Sequence, residues 1–504
     1  MSITELKDDT LAKVGSLDPK RYWALAVIGI AQLMIVLDAS VVVVALPSAQ
    51  HALHISVANR QWVLSAYTLA FGSLLLLGGR IADYVGRRRV FIVGLLGFGA
   101  ASAIAGLAQN QAMLFSARAL QGGFAALMAP AALSILTVTF TDVHERARAF
   151  GVYSAIAGSG AAIGLVLGGV LTEFASWRWT MLINVPIALI AAVMALRVVR
   201  ESRVEERHGY DIPGVVTSTG GLFFLVYGFT LVASHGWSSP LVISLLVAAG
   251  ALLASFVAIE MRVAHPLLPM RVVLNRNRGG AFLSSLLVGM ALLGTFLFLT
   301  YFLQGILGYS ALRAGFAFLP FSGGIILGAG LASRYLPRFG GRALMVAGLA
   351  ISTLGLIGFT RLGADSSYLT HILGPELLVS FGLGLSFVPM NSTALLGVED
   401  DSAGVASALV NTTQQVGGAL GTAYLNTVAA SSTAAFLATR VASTNVLRSA
   451  SVHGYTTAFE VSALLVAAAA VVAGLFVSSK RAQSVHTEIP SAEQRTLAFV
   501  GEEV

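Results

Sequence analysis

The 504 residues contain no cysteine. Disulfides, thiolate nucleophiles and cysteine-ligated metals are therefore excluded. Lysine is almost as scarce. The four are Lys7, Lys13, Lys20 and Lys480, and none follows a glycine. A phosphate-binding loop needs a Gly-Lys step, so the chain has no site of that kind for ATP. Charge of either sign is thin: 11% of residues, against about 25% in soluble domains. No polar stretch is large enough for a soluble domain, since the longest are 1–21, 431–453 and 479–504.

Apolar residues take their place. The chain is 56% hydrophobic with a mean hydropathy of +0.81, and it holds 53 glycines, as closely packed helix bundles require. About 20 apolar residues cross a bilayer. That ruler predicts an all-α polytopic membrane protein with fourteen spans. They lie near 22–46, 59–79, 90–109, 112–138, 147–172, 180–200, 212–234, 240–262, 280–304, 312–336, 343–363, 371–395, 402–430 and 454–478. The run after Arg21, about 25 residues long, exceeds a signal-peptide core and is expected to stay as the first span.

An even number of spans puts both termini on one side. Loops on that side hold 24 of the 31 Lys and Arg, the opposite side holds 6, and Arg118 falls within a span. Short Lys/Arg-rich loops stay in the cytoplasm, which makes both termini cytoplasmic in a cell membrane. The net charge of +7, spread over these loops, speaks to topology and not to nucleic acid.

The densest of the loops is Gly78-Gly79-Arg80-Ile81-Ala82-Asp83-Tyr84-Val85-Gly86-Arg87-Arg88-Arg89-Val90. Its glycines allow a tight reversal. Asp83 is expected to meet the unpaired N–H groups and positive dipole end of the next helix. A degenerate echo runs from Leu331 to Arg342, and Gly160-x-x-x-Gly164 recurs as Gly417-x-x-x-Gly421. Two six-helix halves, 22–200 and 280–478, with two inserted helices over 212–262, account for both echoes; 1–21 and 479–504 are cytoplasmic extensions. Repeats of this kind place a substrate site between the halves near the midplane.

Few residues inside the spans carry chemistry. Asp38 lies in the first span, where a charge costs at least about 2.5–3.5 kcal/mol and normally faces an interior cavity. Such a carboxyl either takes and releases protons or only locks helices together. Arg118 is the only Arg or Lys away from the ends of a span. Counted from the helix ends, Asp38 is about 12 Å deep and Arg118 about 9 Å, so the two can pair. Gly160, Gly164 and Gly168 form one stripe on the fifth span, a packing face or a gate. Gln304, Asn391, Asn411, Gln414 and Gln415 either line a cavity or bond neighbouring helices. Glu376 and Glu460, each about six residues into its span, are expected to snorkel to the surface. Most of the aromatics among Phe296, Phe298, Tyr301, Phe302, Phe316, Phe318 and Phe321 are expected in the core or against lipid, although such rings also suit planar cations. The histidines sit at interfaces, and no metal ligand set or cofactor site is expected.

The order Gly79-x-x-x-Asp83-x-x-Gly86-Arg87 resembles the loop between helices 2 and 3 of the major facilitator superfamily. Four further stretches are similar to its fourteen-helix drug:proton antiporter branch: Leu37-Asp38 … Ala45-Leu46-Pro47; Arg118 … Gln121-Gly122; Trp177-Arg178-Trp179 … Asn184-Val185-Pro186; and Tyr301-Phe302-Leu303-Gln304 … Gly308-Tyr309-Ser310 … Gly315 … Leu319-Pro320. The resemblance covers roughly 22–478. It implies two rocking lobes and export of hydrophobic or cationic small molecules in exchange for protons, by a functional monomer that is not an enzyme. It assigns Asp38 and Arg118 to proton and substrate coupling, and Gly79, Asp83, Gly86 and Arg87 to a conformational lock. One departure is Leu165, which stands where the branch usually has proline in helix 5. An exporter of one endogenous metabolite, such as an antibiotic or a lipid, is the alternative. A channel or sensor is a further one, and a membrane enzyme lacks any catalytic grouping.

Overall fold

A computed structural model describes residues 21–478, apart from 58, 141, 204–210, 264–265, 267, 269, 397–399 and 442. The expected extensions 1–21 and 479–504 therefore lie outside the described residues, save Arg21. Among the described residues the chain is helix, turn or coil, without a strand.

The helices are α1 (Arg21–Ala52), α2 (Trp62–Val85), α3 (Arg87–Gly106), α4 (Gln111–Thr139), α5 (Val143–Phe174), α6 (Trp179–Leu182) and α7 (Asn184–Val198). Then come α8 (Ile212–His235), α9 (Pro240–Glu260), α10 (Met270–Val273) and α11 (Arg276–Tyr301). The rest are α12 (Ala311–Ala317), α13 (Leu319–Phe359), α14 (Leu373–Leu395), α15 (Asp400–Ala438) and α16 (Thr444–Phe476). Single π-helical turns, Phe302–Ile306 and Tyr368–Ile372, precede α12 and α14.

Local chemistry sets many of the boundaries. Asn110, Asp211 and Ser310 cap α4, α8 and α12 by accepting the N–H of Met113, Gly214 and Arg313. Gly86 separates α2 from α3 at φ 118°, a conformation that a side chain resists. Gly340 breaks α13 at φ 76°, so this 41-residue helix is two segments in one run. Ten stretches among the described residues are long and apolar enough to cross a membrane, or eleven if the bent pair Trp62–Leu75 and Leu77–Val85 is one span.

Helices α1 to α7 pack on one another: α2 and α3 lie against α4, α1 against α5, and α3 against α7. Helices α11 to α16 form a second group, with α11 against α15 and α16, and α13 against α14. The α8–α9 pair leans on α2 and α15 through α8. One apolar core, including Met34, Phe91, Phe98 and Met128, belongs to the first group alone. The largest joins both groups, bringing Leu46, Leu53 and Ile55 together with Leu297, Phe298 and Phe302. It does so at the end of the bundle away from the arginine-rich turn.

The stretch 431–453, expected as a loop with at most a short surface helix, is mostly helical. Helix α15 runs on to Ala438 and α16 begins at Thr444, capped by Ser443. Its alanines favour helix, and the long spans project beyond the apolar layer. Glu460 consequently lies midway along α16 and is exposed.

Candidate functional site

The deepest polar cluster is built around Asp38. It and Arg118 are each 1% exposed. Arg118 Nη1 donates to Asp38 Oδ2 in an ion pair sealed from solvent. The same Nη1 reaches Gln121 Oε1 at 2.9 Å, and Nε donates to the carbonyl of Val63 at 3.0 Å. Gln121 Nε2 reaches Asp38 Oδ1 at 3.0 Å and Ser102 Oγ at 2.7 Å. Asn184 Nδ2 donates to the same Oδ1 at 2.9 Å. The guanidinium lies 4.5 Å from the ring centre of Tyr67.

Five helices meet here: α1, α2, α3, α4 and the start of α7. The spacing Arg118-x-x-Gln121 puts both side chains on one face of α4, where they grip the same carboxylate from adjacent positions. Three N–H donors, one of them the cation Arg118, match an ionised aspartate closely. Removing either member of a buried ion pair leaves an unmatched charge, at a cost of roughly 3–5 kcal/mol. Asn184 Oδ1 and the hydroxyl of Tyr67 are buried with no partner at all. Each is an acceptor or donor left over once the aspartate is satisfied.

Gln121 and Asn184 stood in the sequence motifs without a role, while Ser102 and Tyr67 gave no signal. Ser and Tyr are common in membrane helices, and only the helix crossings bring these two to the aspartate.

The glycine stripe of α5 packs on α1. A side chain at Gly164 would strike Ser40, and one at Gly168 would come within 2.9 Å of the Val41 carbonyl. Gly160 faces only the side chains of Leu33 and Val36. The adjoining face of α5 meets the second helix group. Its Leu165 carbonyl lies against Gly315 of α12, and Gly169 against Ala311 and Leu312.

At the arginine-rich turn, Asp83 does not cap the next helix. Its Oδ1 binds Arg87 Nη2 at 3.0 Å, one turn along. The N–H of Arg88, at the start of α3, goes to Glu201 Oε1 at 3.1 Å. Glu201, which the sequence reading missed, also lies 3.6 Å from Arg89. Gly79 packs against Pro130.

The polar residues expected around a cavity divide. Gln304 crosses between the helix groups, with Nε2 donating to the Val44 carbonyl at 2.9 Å. Asn391 is exposed and bonds the Phe387 carbonyl of its own helix at 2.9 Å. Asn411 is exposed, and Gln414 and Gln415 are half-buried. Arg60 to Asn426 at 3.3 Å, Leu312 N–H to Glu173 at 2.9 Å, and the Tyr301 hydroxyl to Gln50 also join the two groups. All four of these polar links lie at the end opposite the arginine-rich turn.

Glu376 is a correction. It does not snorkel, but is 1% exposed in the first turn of α14. The π-helical turn Tyr368–Ile372 folds over it and seals that end of the helix. Of the aromatics, Phe298, Phe302 and Phe318 are fully buried and Phe316 is exposed. Among the described residues, no group of three or more His, Asp or Glu is placed to hold a metal.

A family model described as Major Facilitator Superfamily matches residues 28–422. The chain is 48% identical to the puromycin resistance protein pur8 of Streptomyces alboniger, over 92% of each protein. It is 43% identical to the cephamycin export protein CmcT of Amycolatopsis lactamdurans, over 81% of this chain and 85% of that one. In shape it is similar to a bacterial homologue of the human lysosomal transporter Spinster, solved inward-facing and unoccupied. There the TM-score is 0.64 at 18% identity, covering 92% of this chain and 98% of that one.

Proposed function

We infer, for a chain that belongs to the major facilitator superfamily, that it exports antibiotics or other hydrophobic small molecules across the cell membrane in exchange for protons. The functions its relatives are named for, puromycin resistance and cephamycin export, support the cargo class. The proton coupling rests on one observation, the buried Asp38–Arg118 pair with its ring of amide donors.

Fourteen spans fit the helices. To the ten apolar stretches are added the bent α2, the second segment of α13 beyond Gly340, and the long helices α5 and α15. We assign α1–α7 and α11–α16 to two lobes, with α8 and α9 inserted between them. Charge bias puts the termini in the cytoplasm, so these polar links between the lobes lie on the outer side. They hold the outward-closed form, in which cargo exchanges with the cytoplasm.

A proton arriving at Asp38 removes the negative charge that Arg118 and the two amides grip. The guanidinium then carries an unmatched buried charge, and the five helices joined at Asp38 repack to supply a partner. Cargo and proton thus compete through one network. One charge crossing at about 100 mV is worth about 2.3 kcal/mol, enough for a cargo gradient of more than tenfold. Gly160, Gly164 and Gly168 let α5 slide on α1 while its other face carries α12. Asp83, Arg87, Gly86 and Gly79 serve as a lock on the inner side, and Gln304 with Gln414 and Gln415 flanks the cargo path.

The test is dye or puromycin efflux in inverted vesicles, with and without an uncoupler. Wild type should accumulate cargo against its gradient and lose that ability with the uncoupler. Asp38→Asn should bind cargo but fail to concentrate it. Uphill transport by Asp38→Asn in step with an imposed pH difference would rule out the coupling assignment.

A further inference from the structure

Glu376 is, with Asp38 and with Glu260 at the end of α9, one of three carboxyls buried in the long apolar helices among the described residues, and nothing in the proton scheme above uses it. It lies in the other lobe from Asp38, towards the outer end of the molecule. Its Oε1 is buried with no hydrogen-bond partner. Its Oε2 lies 3.1 Å from the hydroxyl of Tyr368. That hydroxyl is also 2.7 Å from the carbonyl of Ala317, the last residue of α12.

The hydrogen count decides what the carboxyl carries. A tyrosine hydroxyl has one proton and here has two acceptors. Tyr368 is the donor in both contacts, so its one proton is divided between them, and the longer contact leaves the carboxyl short of a full donor unless it holds a proton of its own. The electrostatic surroundings agree. Among the described residues no Lys, Arg or His pairs with Glu376. Tyr368 is the titratable group that faces it, with the Phe321 N–H of α13 alongside. Tyr309 lies beyond Tyr368, with Arg313 stacked on its ring at 3.9 Å. His371 is exposed and bonded to Thr370. An ionised carboxylate buried here would have neither a counter-charge nor a full set of donors.

The position gives the proton a consequence. Tyr368 and Glu376 hold the joint between α12 and α13, where Pro320 stands in the first turn of α13. Helix α12 is the segment of this lobe that closes on α5, through Gly315 on Leu165 and Leu312 on Glu173. We propose that Glu376 is a second proton-binding site, loaded from the outer side, which holds α12 in the outward-closed position and releases its proton to the outside when that gate opens. The proton binds and leaves on the same side, so it biases the gate and is not itself carried across. The assignment of sides rests on the transport reading above; the protonation of Glu376 does not.

Infrared difference spectroscopy on the full chain in liposomes tests the protonation directly. At neutral pH, wild type should have a protonated-carboxyl C=O band that is missing in Glu376→Gln, kept in Asp38→Asn and shifted in Tyr368→Phe. Identical carboxyl regions in wild type and Glu376→Gln would overturn the proposal, whatever the efflux assay gives for Asp38. The gate is read separately, by spin labels attached at Leu107→Cys and Val441→Cys. An Asp38→Asn background removes the other titration, and the cysteine-free chain gives no background labelling. Lowering the pH should shift the outer ends towards the closed distance, by up to about tenfold in population per pH unit for one linked proton. Glu376→Gln should stay closed and lose that dependence. A Glu376→Gln protein that keeps the same pH dependence would refute the gating role.

Discussion

At the scale of single residues, the site is held by amides as well as by the ion pair. Gln121 serves three partners: Arg118, Asp38 and Ser102. Gln121→Leu keeps the volume roughly and leaves all three one bond short in a buried setting. Each unmade buried bond costs about 1–3 kcal/mol. Thermal unfolding in detergent should therefore fall clearly for Gln121→Leu and only slightly for Ser102→Ala, since Gln121 Nε2 still has Asp38. Efflux should drop in the same order. Asp38 and Arg118 were legible in the sequence because charges inside apolar runs are rare and costly. Ser102 and Tyr67 were not, because neither is unusual for a membrane helix. Glu376 was misjudged for a related reason. Distance from a helix end gives depth along the axis, but it does not say whether a neighbouring turn will cover the side chain.

At the scale of elements, α5 works as a two-faced helix. Its Gly160–Gly164–Gly168 stripe lies on α1, and its Leu165–Gly169 face meets α12. The stripe itself is uneven. At Gly168 an added methyl meets fixed backbone, the carbonyl of Val41 at 2.9 Å, whereas at Gly160 it meets the movable side chains of Leu33 and Val36 at 3.1–3.2 Å. Gly168→Ala should then destabilise by about 1–3 kcal/mol, in line with overpacking, and slow efflux. Gly160→Ala should cost under about 1 kcal/mol and keep most activity. Paired thermal-shift and vesicle assays on the two variants check this. Leu165, where the branch usually has proline, is buried, and its carbonyl packs against Gly315. A period of four glycines announces close packing, but it does not reveal which position touches backbone.

For the whole molecule, the charge bias of the loops and the helix contacts describe one arrangement, closed at the end away from the arginine-rich turn. Topology is open to a direct check, because a chain without cysteine can be labelled at one introduced site at a time. Leu274→Cys, in the loop after α10, should react with a membrane-impermeant maleimide only in inverted vesicles. Val441→Cys, between α15 and α16, should react only in intact cells. Both positions are exposed, at 75% and 89%. The opposite pattern would reverse the assignment of sides and with it the direction of export.

The amino-acid order alone settled that this is a helical membrane protein with an aspartate and an arginine deep in its first four spans, because spans are a matter of length and hydropathy and a buried charge stands out against them. Its motifs pointed to the superfamily before any coordinates did. Only the tertiary structure decided who holds Asp38, which face of α5 meets which lobe, that Asp83 turns to Arg87 while Glu201 takes the helix start, and that Glu376 is sealed under Tyr368. Each of these depends on how helices far apart in sequence cross. Crossings are set by the fit of whole surfaces, which no local pattern encodes.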